Sequence, residues 1–218
     1  MAAIQKRSLV DQVYERLRSD IITLKLPLGS RINVNELQDT LGVSCTPIRE
    51  AINRLQQEGL ITYENNVGAR VLTLEAKDVD EIQQLATTLH CAAAKLAMER
   101  GDHAAMAEQL RQRLAEFKSA DVPAAQVNAV HHLIEVFYKN CGNRRLDRSM
   151  LSIQGQQLIL RSLYAQGGVD QEQDIADFDR ICQGVESGDA NEVYHAIRAY
   201  AFRMQDRVTS YLETLRKP

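Results

Sequence analysis

The sequence has no pair of cysteines at metal or redox spacing. Cys45, Cys91, Cys141 and Cys182 are scattered singly. That sets aside a zinc ribbon or Cys-x-x-Cys site, and free thiols are expected. No run of about 18 apolar residues is present, and the first residues lack the apolar core of a signal peptide. No membrane association and a reduced, cytoplasmic setting follow as expectations. Neither an internal repeat nor a low-complexity tract is visible. Charge excess is also small: 26 Lys and Arg stand against 29 Asp and Glu, a net charge of −3. The first 74 residues carry nine basic and eight acidic side chains. Contacts to phosphate must therefore come from a local patch. Finally, there is no Ser/His/Asp set, no Gly-rich phosphate loop and no HExxH motif. An enzyme and a bound cofactor are not expected.

What is present suits a soluble globular chain: 218 residues, 44% hydrophobic and 25% charged, enough for one large or two small domains. The clearest element lies within 43–60. Ser44 or Thr46 can cap its first turn, Pro47 sits where a missing N–H costs nothing, and Gly59 supplies the left-handed stop. Ile48, Ala51, Ile52 and Leu55 recur at helical spacing and form one apolar stripe, while Arg49, Asn53 and Arg54 share the other face. Residues 34–41 read as a shorter helix, and Gly42 as the turn between the two. This is the pattern of a helix-turn-helix. Ahead of it, 9–23 reads as a helix with Leu9, Val13, Leu17 and Ile21 four apart, and Pro27-Leu-Gly29 forces a turn. Behind it, 60–63 and 69–73 are β-prone and flank a turn at 65–68. Three helices and a hairpin make a winged helix-turn-helix over residues 1–74.

Residues 75–218 read as helical throughout. The expected helices cover 78–101, 104–117, 124–140, 146–164, 171–186 and 190–215, an all-α bundle of about six helices. The fold class is therefore mainly α.

The segment Pro27-Leu-Gly-Ser-Arg31, Glu36-Leu37, Leu41-Gly-Val-Ser-Cys-Thr-Pro-Ile-Arg-Glu-Ala51, Leu55, Glu58-Gly-Leu60, Val67-Gly68 and Val71 closely resembles the DNA-binding domain of GntR-family bacterial transcription regulators. The helical part resembles the FadR branch, with its FCD effector module, through Cys141-Gly142-Asn143 and Ser187-Gly188-Asp189. The resemblance implies a homodimer on a pseudo-palindromic double-stranded operator. Recognition helices would enter the major groove and wing tips the minor groove. A small-molecule effector in the helical domain would change the affinity. By matching position, Arg31, Ser44, Cys45, Thr46, Arg49 and Asn53 stand at the DNA, with Gly68 as wing tip. Two departures matter. Cys45 and Val67 replace arginines, and a bidentate arginine–guanine contact supplies about 1–3 kcal/mol of discrimination.

The helical domain departs further. The family's Asp and three His metal positions fall on Val130, Ile134, Phe178 and Tyr200, and its carboxylate-gripping arginine falls near Ala86. No metal is therefore expected. The expected effector pocket comprises His90, Val130, Ile134, Tyr138, Arg161, Tyr164, Phe178 and Tyr200. His131 and His132 read as ordinary helix histidines or, with Asn128, as a register-shifted metal site. Cys45 reads as a drifted contact residue or a thiol sensor. Glu192-Val-Tyr-His195 has the Glu-x-x-His form of di-iron bundles, but no second copy exists. The rival reading is a DNA-binding scaffold or protein-interaction module with no effector.

Overall fold

The computed structural model describes residues 8–64 and 68–215. The chain divides into two compact units, at Leu74 and Glu75.

In the first unit, α1 (Leu9–Ile22) opens with a reciprocal cap. Ser8 Oγ accepts from the Asp11 backbone N–H, and Asp11 accepts from that of Ser8. Next, α2 (Val34–Leu41) is capped by Asn33 and ends on Gly42, whose φ of +64° is the left-handed turn into α3 (Cys45–Gln57). Strand β1 (Ile61–Glu64) then pairs antiparallel with β2 (Gly68–Val71), Ile61 opposite Val71 and Glu64 opposite Gly68. The hairpin is widened by a bridge from Arg31 to Arg70. The anticipated stripe of α3 is the centre of this unit. Ile48, Ala51, Ile52 and Leu55 are each 0% exposed, and Leu17, Ile21, Leu60 and Val71 pack in the same core. Burial of such a stripe, rather than intrinsic propensity, holds a helix this short in place.

The second unit contains α4 (Ala76–Arg100), α5 (His103–Ser119), α6 (Pro123–Asn140), α7 (Arg144–Leu151), α8 (Gln154–Gln166), α9 (Gln171–Ser187) and α10 (Ala190–Leu215). Helix α10 packs on α4, α8 and α9, while α5 packs on α6 and α9. Gly184 is what lets α9 and α10 meet: a Cβ there would lie 2.8 Å from Val193 Cγ2. Phe117, Phe137 and Phe178 are fully buried, with Phe178 edge-on to Phe117 at 5.1 Å.

The bundle corrects one expectation. The single helix expected over 146–164 is two helices, broken at Ser152 and Ile153. The two residues at the break are neither glycine nor proline, though Gly155 follows in the first turn of α8. Instead, Ser149 and Ser152 hydroxyls donate to the carbonyls of Arg145 and Ser149, at 3.0 and 2.7 Å. Serines at such places compete with the helical ladder. Ile153 leaves helical geometry at φ −119°, ψ 3°. The short α7 that results buries none of its side chains.

Candidate functional site

The first candidate surface is the polar side of α3. Ser44, Thr46, Arg49 and Asn53 are all exposed there, the opposite side of the helix from the buried stripe. Ser44 occupies the N-cap with extended φ and ψ, yet its side chain makes no capping hydrogen bond. Thr46 lies inside the first turn and does not cap either. First-turn N–H groups and two hydroxyls are thus left facing outward at the positive end of the helix dipole. Cys45 is engaged differently: its thiol donates to Gln38 Oε1 at 2.8 Å, tying α3 to α2.

The arginines separate into two kinds. Arg54, which the sequence places beside Arg49, pairs with Asp11 of α1 at 2.8 Å. Arg70 donates to the Gly29 carbonyl at 2.8 Å and pairs with Glu64. Arg18 pairs with Glu58, which also accepts from the Tyr14 hydroxyl. Burial first, and then Glu58, push Tyr14 up to about 12. By contrast, Arg31 and Arg49 are exposed and make no ion pair among the described residues. They are the cations left open among the described residues of the first unit.

Gly68 is not at the tip of the hairpin. It opens β2, opposite Glu64, with φ +94°. A Cβ there would meet nothing within 4 Å, so backbone conformation rather than crowding calls for glycine. The connection at 65–67, including Val67, lies outside the described residues.

The second candidate site lies inside the helical unit. Seven of the eight residues expected to form one pocket line two small cavities instead. One, of about 50 Å³, has His90, Ile134, Tyr138, Gln157 and Arg161 in its wall, with His131, Glu135 and Asp147 among the remaining lining. The other, of about 10 Å³, takes Val130, Arg161, Tyr164 and Tyr200. Phe178 lines neither; it packs against Tyr200, ring centroids 4.8 Å apart, and fills the space. Ala86 is fully buried in α4.

Arg161 joins the two cavities. It is 5% exposed, pairs with no carboxylate among the described residues, and its Nε has no hydrogen-bond partner. Burial pulls its pKa below the usual arginine value. His90, 7% exposed, meets the Tyr138 hydroxyl at 3.0 Å through Nδ1, while Nε2 has no partner. Burial, with Arg161 and His131 adding, pushes His90 down to about 3, so the imidazole is neutral. Gln157 donates to Gln83 Oε1 at 3.1 Å. His131 is held by Gln154 at 3.1 Å and Glu135 at 3.3 Å, and His132 is exposed.

Sequence reasoning missed three features. Gln157, Glu135 and Asp147 in the larger cavity are one. A buried network is another: Asp174 accepts from the Tyr164 hydroxyl at 2.8 Å and from Arg203 at 2.8 Å, while Asp177 lies 2.6 Å from Arg203. Tyr164 is therefore a structural partner of Asp174 as well as cavity lining. The third is an open groove of about 410 Å³ between α4 and α10, edged by Phe202, which is 75% exposed. The i, i+3 spacing of Asp174 and Asp177 on a largely apolar face was the available signal for the network.

Residues 9–71 match the family described as bacterial regulatory proteins, gntR family, and residues 81–202 match the FCD domain. The chain belongs to the GntR family. Its helical unit is an FCD domain, and the family is one of transcription regulators rather than enzymes. This GntR chain is 36% identical over 91 residues to the uncharacterized HTH-type transcriptional regulator YdhC of Bacillus subtilis, covering 42% of the chain and 41% of that protein. It is 35% identical over 99 residues to the Nta operon transcriptional regulator of Aminobacter aminovorans, covering 45% and 47%. The matches thus span less than half the length of these relatives. In fold, it is similar to a putative GntR regulator from Rhodococcus, with a TM-score of 0.75 at 20% identity over 94% of this chain and 99% of that one. It is also similar to McbR/YncC of E. coli, with a TM-score of 0.73 at 20% identity over 96% and 100%.

Proposed function

We propose that this chain is a cytoplasmic regulator that binds a double-stranded, pseudo-palindromic operator as a homodimer. Residues 1–74 hold the DNA, and residues 75–218 hold a small-molecule effector and the partner subunit. One observation carries the DNA half: α3 buries its whole apolar stripe and leaves Ser44, Thr46, Arg49 and Asn53 exposed, with Arg49 in no ion pair. An uncapped helix N-terminus is a ready anion site, so Ser44, Thr46 and the first-turn N–H groups suit phosphate. Arg49 and Asn53 suit base edges and Arg31 suits backbone. Cys45 contributes by bracing α2 rather than by reading a base. Gly68, at the start of β2, suits the minor groove. Fluorescence anisotropy against the gene's own upstream region tests this. Saturable binding that weakens steeply with salt is expected, and none at low salt refutes it.

The effector half rests on Arg161 Nε and His90 Nε2, buried polar atoms without hydrogen-bond partners, on residues that line a cavity. A bound molecule changes DNA affinity only through different affinity for two states of the protein. The rival, a helical unit with no effector, is favoured by one observation: Phe178 fills the space beside Tyr200. Ligand-induced thermal stabilisation separates the two readings.

A further inference from the structure

We propose that the cavity at Arg161 binds a small zwitterion of the amino-acid class, with its carboxylate on Arg161 and its ammonium group toward Asp147. This names the ligand chemistry of the effector site and rests on that reading.

The argument begins from charge. A buried guanidinium with no carboxylate is strongly disfavoured unless an anion joins it. Two carboxylates line the same cavity, Glu135 and Asp147. Glu135 is already met by Lys139 at 3.0 Å and His131 at 3.3 Å. Asp147 is exposed on α7 and in no ion pair among the described residues. The cavity therefore presents an uncompensated cation in its depth and an uncompensated anion at its rim. Both act on the Tyr138 hydroxyl, in opposite senses.

Candidate ligand classes meet this arrangement differently. A simple monoanion answers Arg161 and leaves Asp147 alone. A dicarboxylate sets its second charge against Asp147 and Glu135. A divalent metal finds no convergent group of three His, Cys, Asp or Glu among the described residues. A zwitterion answers both charges. Donor chemistry agrees: with Nδ1 of neutral His90 accepting from Tyr138, Nε2 carries the proton, so His90 and Arg161, both lining the cavity, each hold a donor without a partner. A cavity of about 50 Å³ suits a ligand as small as glycine or alanine.

Calorimetric titration of the full chain with glycine, L-alanine, acetate, methylamine and malonate tests this. Glycine or alanine should bind tighter than acetate by up to about 5-fold, the worth of one solvent-exposed charge pair. Malonate should be weaker than acetate. Asp147→Asn should erase the amino-acid advantage while leaving acetate unchanged, and Arg161→Gln should remove both. Acetate equal to glycine, an advantage that survives Asp147→Asn, or no amino-acid binding at all overturns the proposal. Should Arg161→Gln fail to fold, the exposed Asp147→Asn decides alone. Operator binding without ligand is measured separately by anisotropy. A bound amino acid that leaves operator affinity unchanged removes the effector reading and leaves the site standing.

Discussion

Arg54 of α3 donates to Asp11 of α1 at 2.8 Å, so the last turn of one helix is tied to the first turn of the other. Arg49, five residues earlier, has no such tie. The two arginines look alike in sequence and differ in availability. Arg49→Ala is expected to lower operator affinity about 10-fold to 100-fold, the worth of a base-reading arginine. Arg54→Ala should change it little. Anisotropy titrations of both variants check the distinction, and equal losses would contradict it.

Arg31 is expected to act on phosphate. Arg31→Ala should weaken all DNA sequences alike and reduce the slope of log affinity against log salt by about one per protomer. A sequence-dependent loss would place Arg31 at a base instead. The measurement is one salt series on operator and on scrambled DNA.

The neutral, buried His90 predicts a pH dependence. Its pKa is about 3 when folded, against 6.5 as the ordinary value. The unfolded chain therefore takes up the proton first, and stability falls as pH drops from about 6.5 toward 3. Linkage gives a loss of about 2 kcal/mol between pH 7.5 and pH 5. Glu135 and Glu186 are held below the ordinary carboxylate value, so their contributions fade only at lower pH. Urea unfolding at the two pH values should show the loss, and His90→Gln should flatten it.

The Asp174–Arg203–Asp177 network predicts a fold defect rather than a functional one. Both aspartates are 1% exposed. Arg203→Ala leaves buried Asp174 without its cation and Asp177 with only Arg180 at 3.5 Å, a destabilisation of about 3–5 kcal/mol. Burial already raises Asp174, so protonation on acidification should shrink that deficit. Chemical denaturation at neutral and acid pH reads both effects.

How much of this was legible follows from how local each signal is. The recognition helix was readable because Ile48, Ala51, Ile52, Leu55, Pro47 and Gly59 carry its face, start and stop within thirteen residues. The Arg54 tie was not, because Asp11 lies 43 residues away. The break at Ser152 and Ile153 is marked only by Gly155 two residues on, and hydroxyl competition with the backbone leaves no periodicity to read. Cavity lining was half legible. His90, Tyr138 and Arg161 stand out as polar residues on helical faces that are otherwise apolar. Asp147 enters from α7, which periodicity along one supposed helix over 146–164 hides, and Glu135 enters from α6, beside the expected lining residue Ile134. Phe178 was placed by family register, yet its ring fills the interior instead of facing a ligand.

That turn has a mechanical consequence. Helix α7 is eight residues long and buries no side chain, yet it supplies Asp147, Met150 and Leu151 to the larger cavity. Helices this short are marginal without packing to hold them. The cavity thus has one thin door in an otherwise thick-walled room. The wall of the larger cavity that α7 forms is therefore its most weakly held side, whereas Phe117 and Phe178 are fully buried.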